Sequence, residues 1–472
     1  MIDVAVENRP PIVRRLDQTG ELAPSTGVKL EHRLAALGMG AIASVVVAAC
    51  SGSGNDGSAP APVASTDEAG VALDPAPDAA GSADAAPPFA PADHRPWPQL
   101  VLPAGDGGAG HVLSPMTLVT IVAANDDLSS QLFAFSDALI TSAWWHSVGD
   151  EYGMAAPEKS VHVTGAAIDH SLSAQEIATY IDQARAGADA GAPAPNGNTL
   201  YLLYIPAPYE ATGAASSAYH AAYPYGVTGL GDGLAVVSRA TPEGDESILD
   251  ELTERASHEI IEAATDTSRG WHLPRASATP WSDADASIWR SMQPGTVENG
   301  DLCELSRIRE PLAAGFLFQR SWSNKAALRG GDPCVPARTE PYFNVSVAKD
   351  WYSIAPGQSI DIPFSGWSTA ETDAWLINAG ANYGRGALAD LALNAGLTLH
   401  TSLGIGTTGK CGSRQGVNNG VQGTLHVTAP AAAKSGDYAV LWIHNFREEP
   451  ATCNPAPESD FTHVWPVGVY VE

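Results

Sequence analysis

The sequence predicts a layered α/β domain followed by an all-β sandwich of Ig-like type, both carried outside the cytoplasm. Three observations predict it. An apolar run near the N-terminus closes on a cysteine, strand and helix patterns alternate from residue 100 to 337, and from Pro341 the hydrophobic period falls to two. With 472 residues, 44% of them hydrophobic, the chain is long enough for two ordinary domains and a tail.

The N-terminal elements come first. Arg14, Arg15, Lys29 and Arg33 precede an uncharged apolar stretch at 34–49, about the length of a signal h-region and short for a membrane span. It ends in Val47, Ala48, Ala49 and Cys50, followed by a Ser-Gly-Ser-Gly run. This order resembles a lipobox, so residues 1–49 are expected to be a lipoprotein signal peptide and Cys50 the lipidated residue. An uncleaved N-terminal anchor is the alternative, and either one exports the remainder. Residues 50–98 are mostly Ala, Pro, Gly, Ser and Asp, with one arginine, Arg95, no lysine and almost no large apolar residue. Such a segment cannot bury enough surface to offset its ordering entropy, so it reads as a disordered tether reaching about 40 Å as a flexible coil. The expected location is the bacterial cell envelope, outer membrane or cell surface, with membrane contact only through the lipid.

Residues 99–338 carry the α/β pattern. Residues 118–122 form a buried strand, followed by a helix with Leu128, Leu132, Phe135 and Leu139 on one face. Ser173 and Glu176 make a capping box opening a helix that carries Ile177, Tyr180, Ile181 and Ala184. Buried strands at 200–205 and 234–237 follow. Residues 339–472 carry short strands at 343–347, 359–363, 423–427, 438–443 and 465–471, separated by Gly, Pro and Asn turns. Trp367, Trp375 and Trp442 read as core rather than as sugar-binding platforms.

Charge and cysteines limit the function. The chain has 53 acidic residues against 25 basic ones, a net charge of -28, which excludes a nucleic-acid partner or an anionic lipid surface. Setting aside Cys50 leaves Cys303, Cys334, Cys411 and Cys453. Three connectivities are open, and proximity favours Cys303–Cys334 and Cys411–Cys453. The absence of a CxxC spacing argues against a thiolate zinc site.

The chemistry-bearing segment is a helix beginning near Ser247. Leu249, Leu252, Ala256, Ile260 and Ala263 make its apolar stripe, while His258, Glu262 and Asp266 follow at i, i+4 and i+8 along one side. An imidazole and a carboxylate one turn apart can reach the same divalent ion, and Glu259 is offset so that it can take a proton from water there. Zinc accepts this mixed N/O set, and so would manganese or iron. The bland reading of the same residues is a solvated face on which Arg255 pairs with Glu259 and His258 bonds Glu262.

The surrounding sequence extends the pattern. The segment Ser257-His-Glu-Ile-Ile-Glu-Ala-Ala-Thr-Asp266 is followed by Gly270-Trp271, by Glu298-Asn-Gly-Asp-Leu-Cys303 and by Phe318-Gln-Arg-Ser-Trp-Ser-Asn324. This order resembles secreted bacterial zincin-like proteins with an SHExxEAxTD helix and an E-x-G-D-L-C segment, distantly similar to the plant phosphate-induced (Exordium-like) family. Thr267 stands where that pattern has proline. The resemblance covers roughly residues 115 to 336. It implies a zincin-like mixed sheet with an active-site helix, His258 and Glu262 as metal ligands, Glu259 as base, and Glu298 or Asp301 as third ligand. It further implies that a Cys303–Cys334 bridge holds that ligand near the helix, and that Tyr219 or His220 steadies an oxyanion.

Two functional readings follow. The first is a surface-anchored, zinc-dependent hydrolase acting on proteins or peptides. The second is a non-catalytic lipoprotein binding a cell-surface ligand on the same scaffold, since the plant relatives lack the HE pair. A two-carboxylate glycosidase has only the abundance of acids in its favour.

Overall fold

The computed structural model describes residues 88–101, 111–154, 159–187, 192–212, 217–223, 231–239, 247–266, 273, 288–292, 297–304, 307–309, 315–380, 400–404, 416–447 and 463–472. The expected signal peptide, Cys50, most of the expected tether, the Gly270-Trp271 step, Thr267, and Cys411 with Cys453 lie outside the described residues. Among the described residues no helix is long and apolar enough to cross a membrane.

The first sheet contains β1 (Thr117–Ala123), β2 (Lys159–Gly165), β3 (Thr199–Ile205), β4 (Ala218–Tyr223) and β5 (Asp232–Ser238), in the order β2-β1-β3-β5-β4. The first three and β5 run parallel, and β4 runs antiparallel to β5 at the edge. β1, β3 and β5 are buried along their whole length, which explains their nearly unbroken apolar sequence. Four helices cover the sheet: α1 (Ser129–Ile140), α2 (Ala143–Tyr152), α3 (Ala174–Gly187) and α4 (Ile248–Thr265). α3 packs on one face through Ile177 and Ile181, while α1, α2 and α4 pack on the other through residues such as Phe135, Trp144 and Ile260. The capping box at α3 is present: the Ser173 N–H donates to Glu176 Oε2 at 2.7 Å, and the Glu176 N–H to Ser173 Oγ at 3.4 Å.

Short elements follow α4. β6 (Arg307–Arg309) pairs with β7 (Leu317–Gln319), and β8 (Ser321–Trp322) pairs across α5 (Asn324–Leu328) with β9 (Cys334–Val335). The Cys303–Cys334 disulfide ties the segment before β6 to β9.

The remaining strands are β10 (Phe343–Val347), β11 (Trp351–Ile354), β12 (Ser359–Ser368), β13 (Trp375–Gly380), β14 (His400–Gly404), β15 (Gly416–Val417), β16 (Gln422–Thr428), β17 (Tyr438–Phe446) and β18 (His463–Val471). They form two sheets, β10-β12-β16-β14 and β11-β18-β17-β13-β15, antiparallel except where β11 meets β18. Val345, Ile362, Leu425, Leu441 and Val467 share one core, giving a β-sandwich-like pair of sheets. Trp367, Trp375 and Trp442 are buried in that core.

The end of the expected tether differs from its sequence reading. Residues 88–98 pack onto the sandwich and the segment around β8. The Trp97 ring lies 5.0 Å from that of Trp465, 5.4 Å from Trp289 and 5.7 Å from both Trp322 and Trp367. Arg95 pairs with Asp350, and the Ala92 N–H donates to Asn419 Oδ1 at 2.7 Å. The segment is held by the buried Trp97 together with these polar contacts, an anchor that its Ala- and Pro-rich composition does not announce.

Candidate metal centre

α4 begins where Ser247 Oγ accepts the Asp250 N–H at 3.0 Å, leaving Asp250 and Glu251 in the first turn against the positive end of the helix dipole. Its apolar stripe, Leu252, Ala256, Ile260 and Ala263, packs on the sheet. The rest of the helix is not a solvated face. Glu251, Glu254, Glu259 and Glu262 are all buried, and Arg255 pairs with Glu251 instead of Glu259. Burying carboxylates is costly unless cations or hydrogen bonds meet them, so their environment decides what the helix is for.

Three other segments converge on α4. β4 brings His220, the loop and 3-10 turn around Asp301–Cys303 bring Glu298 and Asp301, and β7 brings Gln319. Several contacts hold the 297–304 segment in place. The Trp322 N–H donates to Asn299 O at 2.8 Å, the Glu298 N–H to Asp301 Oδ2 at 3.0 Å, and the disulfide fixes Cys303. The Asp301 N–H donates to Glu262 Oε1 at 3.0 Å. Gly300 is what allows this approach: a Cβ there would stand 2.5 Å from Glu262 Oε1.

Two groups result. In the first, His258 Nε2 lies 3.1 Å from Glu262 Oε2 and 3.8 Å from Asp301 Oδ1. In the second, His220 Nδ1 lies 3.3 Å from both Glu259 Oε2 and Glu262 Oε2. The other ring nitrogen of His220 is 3.3 Å from Glu298 Oε2. Donor atoms around an ion with bonds of about 2.0–2.2 Å stand roughly 3 to 3.6 Å apart, so most of these spacings match a coordination shell.

Hydrogen bonds fix the state of His258. The Gln319 side-chain NH2 donates to Gly300 O at 2.8 Å, which turns its Oε1 toward His258 Nδ1 at 3.0 Å. Nδ1 then donates to Gln319, and in a neutral ring the Nε2 lone pair would face two carboxylates. That arrangement is repulsive until a proton or a metal cation sits between them. It is the arrangement by which an outer-sphere acceptor orients a ligating histidine.

The pKa directions follow from the same crowding. Burial opposes charge on both imidazoles, but the carboxylates around them outweigh it, Glu298 above all for His220 and Glu262 for His258, and hold both well above 6.5. Burial raises Glu262 too, yet His258 and His220 pull it below the usual carboxylate range. Burial and negative neighbours push Glu298 and Asp301 well up. Glu304, which had no role in the sequence reading, is pushed up to about 7 by burial and by Glu262 and Glu259, with His258 opposing. The cluster thus holds protons tightly, and its donor set of imidazole nitrogens and carboxylate oxygens is of the kind that zinc or another divalent ion takes.

His258, Glu259, Glu262, Glu298 and Asp301 come together as the sequence anticipated, with Asp301 beside His258 and Glu298 beside His220. Three assignments change. Tyr219 packs among the apolar side chains on the α3 face, because successive residues on β4 point to opposite sides of the sheet. His220 therefore faces the cluster alone of that pair, and it sits among carboxylates as a candidate ligand rather than as an oxyanion support. Asp266 caps the end of α4, its N–H bonded to Glu262 O at 2.6 Å, and belongs to neither group. Gln319 and Gly300 had no assigned role in the sequence reading, although both stand inside the quoted segments.

No protein-family model matches the chain, and no curated protein sequence matches it. Among solved structures the chain is similar to domains 4 and 5 of the S-layer protein SbsC, at 13% identity and a TM-score of 0.17, over 30% of this chain and 59% of that one. It is similar to surface layer protein SbsC domains 1–6, at 13% identity and a TM-score of 0.17, over 29% of this chain and 14% of that one. VCBP3 domain 1 from Branchiostoma floridae matches at 11% identity and a TM-score of 0.15, over 28% of this chain and 96% of that one.

Proposed function

We propose that the protein is a surface-anchored, divalent-metal-dependent hydrolase of peptide bonds on a zincin-like scaffold, exported and held by lipid at Cys50. The observation that carries the reading is the state of His258: one ring nitrogen is committed to Gln319, and the other faces Glu262 and Asp301. His258, Glu262 and Asp301 would hold the ion. When bound, a divalent ion polarises a carbonyl oxygen and lowers the pKa of water.

The chain's own residues would do the rest. Glu259 lies next along α4 with its carboxylate beside Glu262, placed to take a proton from water and pass it to the leaving nitrogen. His220, 3.3 Å from Glu259, restrains that carboxylate. β4 packs beside α4, and the peptide carbonyl is the group we propose the cluster acts on.

Metal content of the purified protein, beside hydrolysis of a mixed peptide library, tests the reading. Bound zinc lost in Asp301→Ala, with peptide cleavage abolished in Glu259→Gln while the metal is retained, is the expected pattern. Metal with no cleavage of any peptide would leave a structural ion on a surface-binding lipoprotein, and no metal after zinc loading would remove the hydrolase altogether.

A further inference from the structure

We propose that the cluster is built for two divalent cations, the second held on His220 and sharing Glu262 with the first. The proposal rests on the hydrolase reading only for its first position, at His258, Glu262 and Asp301.

The second position is a built one. His220 Nδ1 stands 3.3 Å from each of Glu259 Oε2 and Glu262 Oε2, and these donors come from two elements, β4 and α4, whose packing fixes them. Glu262 Oε2 is also 3.1 Å from His258 Nε2, so one carboxylate oxygen lies between the two imidazoles, where a bridging ligand of a two-metal site stands. Such sites hold their ions about 3.5–4 Å apart, which a shared oxygen permits.

Glu298 supplies an independent sign. It is 7% exposed, and its Oε2 has no hydrogen-bond partner although it lies 3.3 Å from His220 Nε2. A buried carboxylate oxygen without a donor is costly in an apolar setting. Once Nδ1 of His220 is occupied by an ion, its proton resides on Nε2, and Glu298 becomes the acceptor that orients the ring, as Gln319 does for His258.

A second ion also needs oxygens to spare. Glu259, Glu262, Glu298 and Asp301 are all buried beside the two imidazoles. Each carboxylate has two oxygens, so Glu259 can present Oε2 to the second ion and keep Oε1 for the proton.

The test is stoichiometry on the full purified chain, stripped with chelator and reloaded with Zn2+ or with Mn2+. Elemental analysis should give two equivalents for the wild type and one for His220→Ala and, at limiting free metal, for Glu298→Leu, which removes the acceptor. With manganese, the electron paramagnetic resonance spectrum should be that of an exchange-coupled pair in the wild type and of an isolated ion in both variants. One equivalent in the wild type, with an uncoupled spectrum, would overturn the second position and leave the hydrolase reading standing. No bound metal at all would overturn both. Because the wild-type count decides, misfolding of a variant cannot rescue the proposal.

Discussion

Gly300→Ala is the sharpest perturbation available, since the glycine has an ordinary right-handed backbone, φ -70 and ψ -50, that alanine adopts without strain. Whatever the substitution does is therefore steric. The added Cβ would lie 2.5 Å from Glu262 Oε1, 2.9 Å from its Cδ and 3.1 Å from its Cγ. Restoring an ordinary contact of 3.4 Å moves the carboxylate by 3.4 − 2.5, about 0.9 Å. A shift of that size away from the 297–304 backbone stretches the Asp301 N–H bond from 3.0 Å beyond hydrogen-bonding range and displaces Oε2 from His258. Losing a buried, charge-assisted hydrogen bond and overpacking the site together cost roughly 2–4 kcal/mol of stability. Misplacing a ligand by this distance weakens metal affinity by on the order of 100-fold. Chemical denaturation of the metal-free protein and competition titration with a chromophoric chelator measure the two effects separately. A variant that keeps both its stability and its zinc affinity would refute the placement of Glu262 against Gly300, and with it the site as described.

Other outcomes follow from the same structure. Gln319→Leu frees His258 Nδ1 and leaves Gly300 O without its donor, so zinc affinity should drop roughly 10–100-fold. An unchanged dissociation constant would show that Gln319 does not set the ring's state. The Cys303–Cys334 bridge spans 31 residues, which in the chain-entropy account is worth roughly 3–4 kcal/mol. Paired alanines should lower the melting temperature and loosen metal binding through the 297–304 segment, whereas a variant melting with the wild type would deny the bridge a role. In the sandwich, burial and the charges of Arg338 and Arg320 hold the His463 pKa down to about 3, so the ring is neutral in the fold. Its unfolded value is near 6.5, and the stability present above that pH should fall by ~1.4 kcal/mol per unit as pH drops toward 3. Urea unfolding at pH 7, 6 and 5 should show that slope in the wild type and a shallower one in His463→Phe; parallel slopes would contradict the assignment.

The parts legible from sequence were those whose cause is local. The capping box at Ser173 and Glu176 is a short-range bond pattern, and the buried strands 200–205 and 234–237 announce themselves by composition. The i, i+4 spacing of His258 and Glu262 is likewise a property of one helix. What sequence could not weigh was long-range. Arg255 has carboxylates at both i−4 and i+4, and only the burial of α4 shows that it pairs with Glu251. Tyr219 and His220 are neighbours in sequence, and which of them faces α4 depends on the register of β4 against β5. The choice between Glu298 and Asp301 dissolves once the turn is seen: each stands by a different histidine. Gln319 acts across sixty-one positions, and its signal was present in the Phe318-Gln-Arg segment without any rule to read it.

The seat of Trp97 bears on how the molecule reaches its native state. Its ring touches Trp465 on β18 and Trp322 beside the site segment, so contacts separated by nearly the whole described chain must close together. Trp322 in turn pins Asn299, next to Glu298. Such high contact order slows folding and lets no early fragment complete the arrangement. The aromatic seat of Trp97 therefore closes only when β18 has docked.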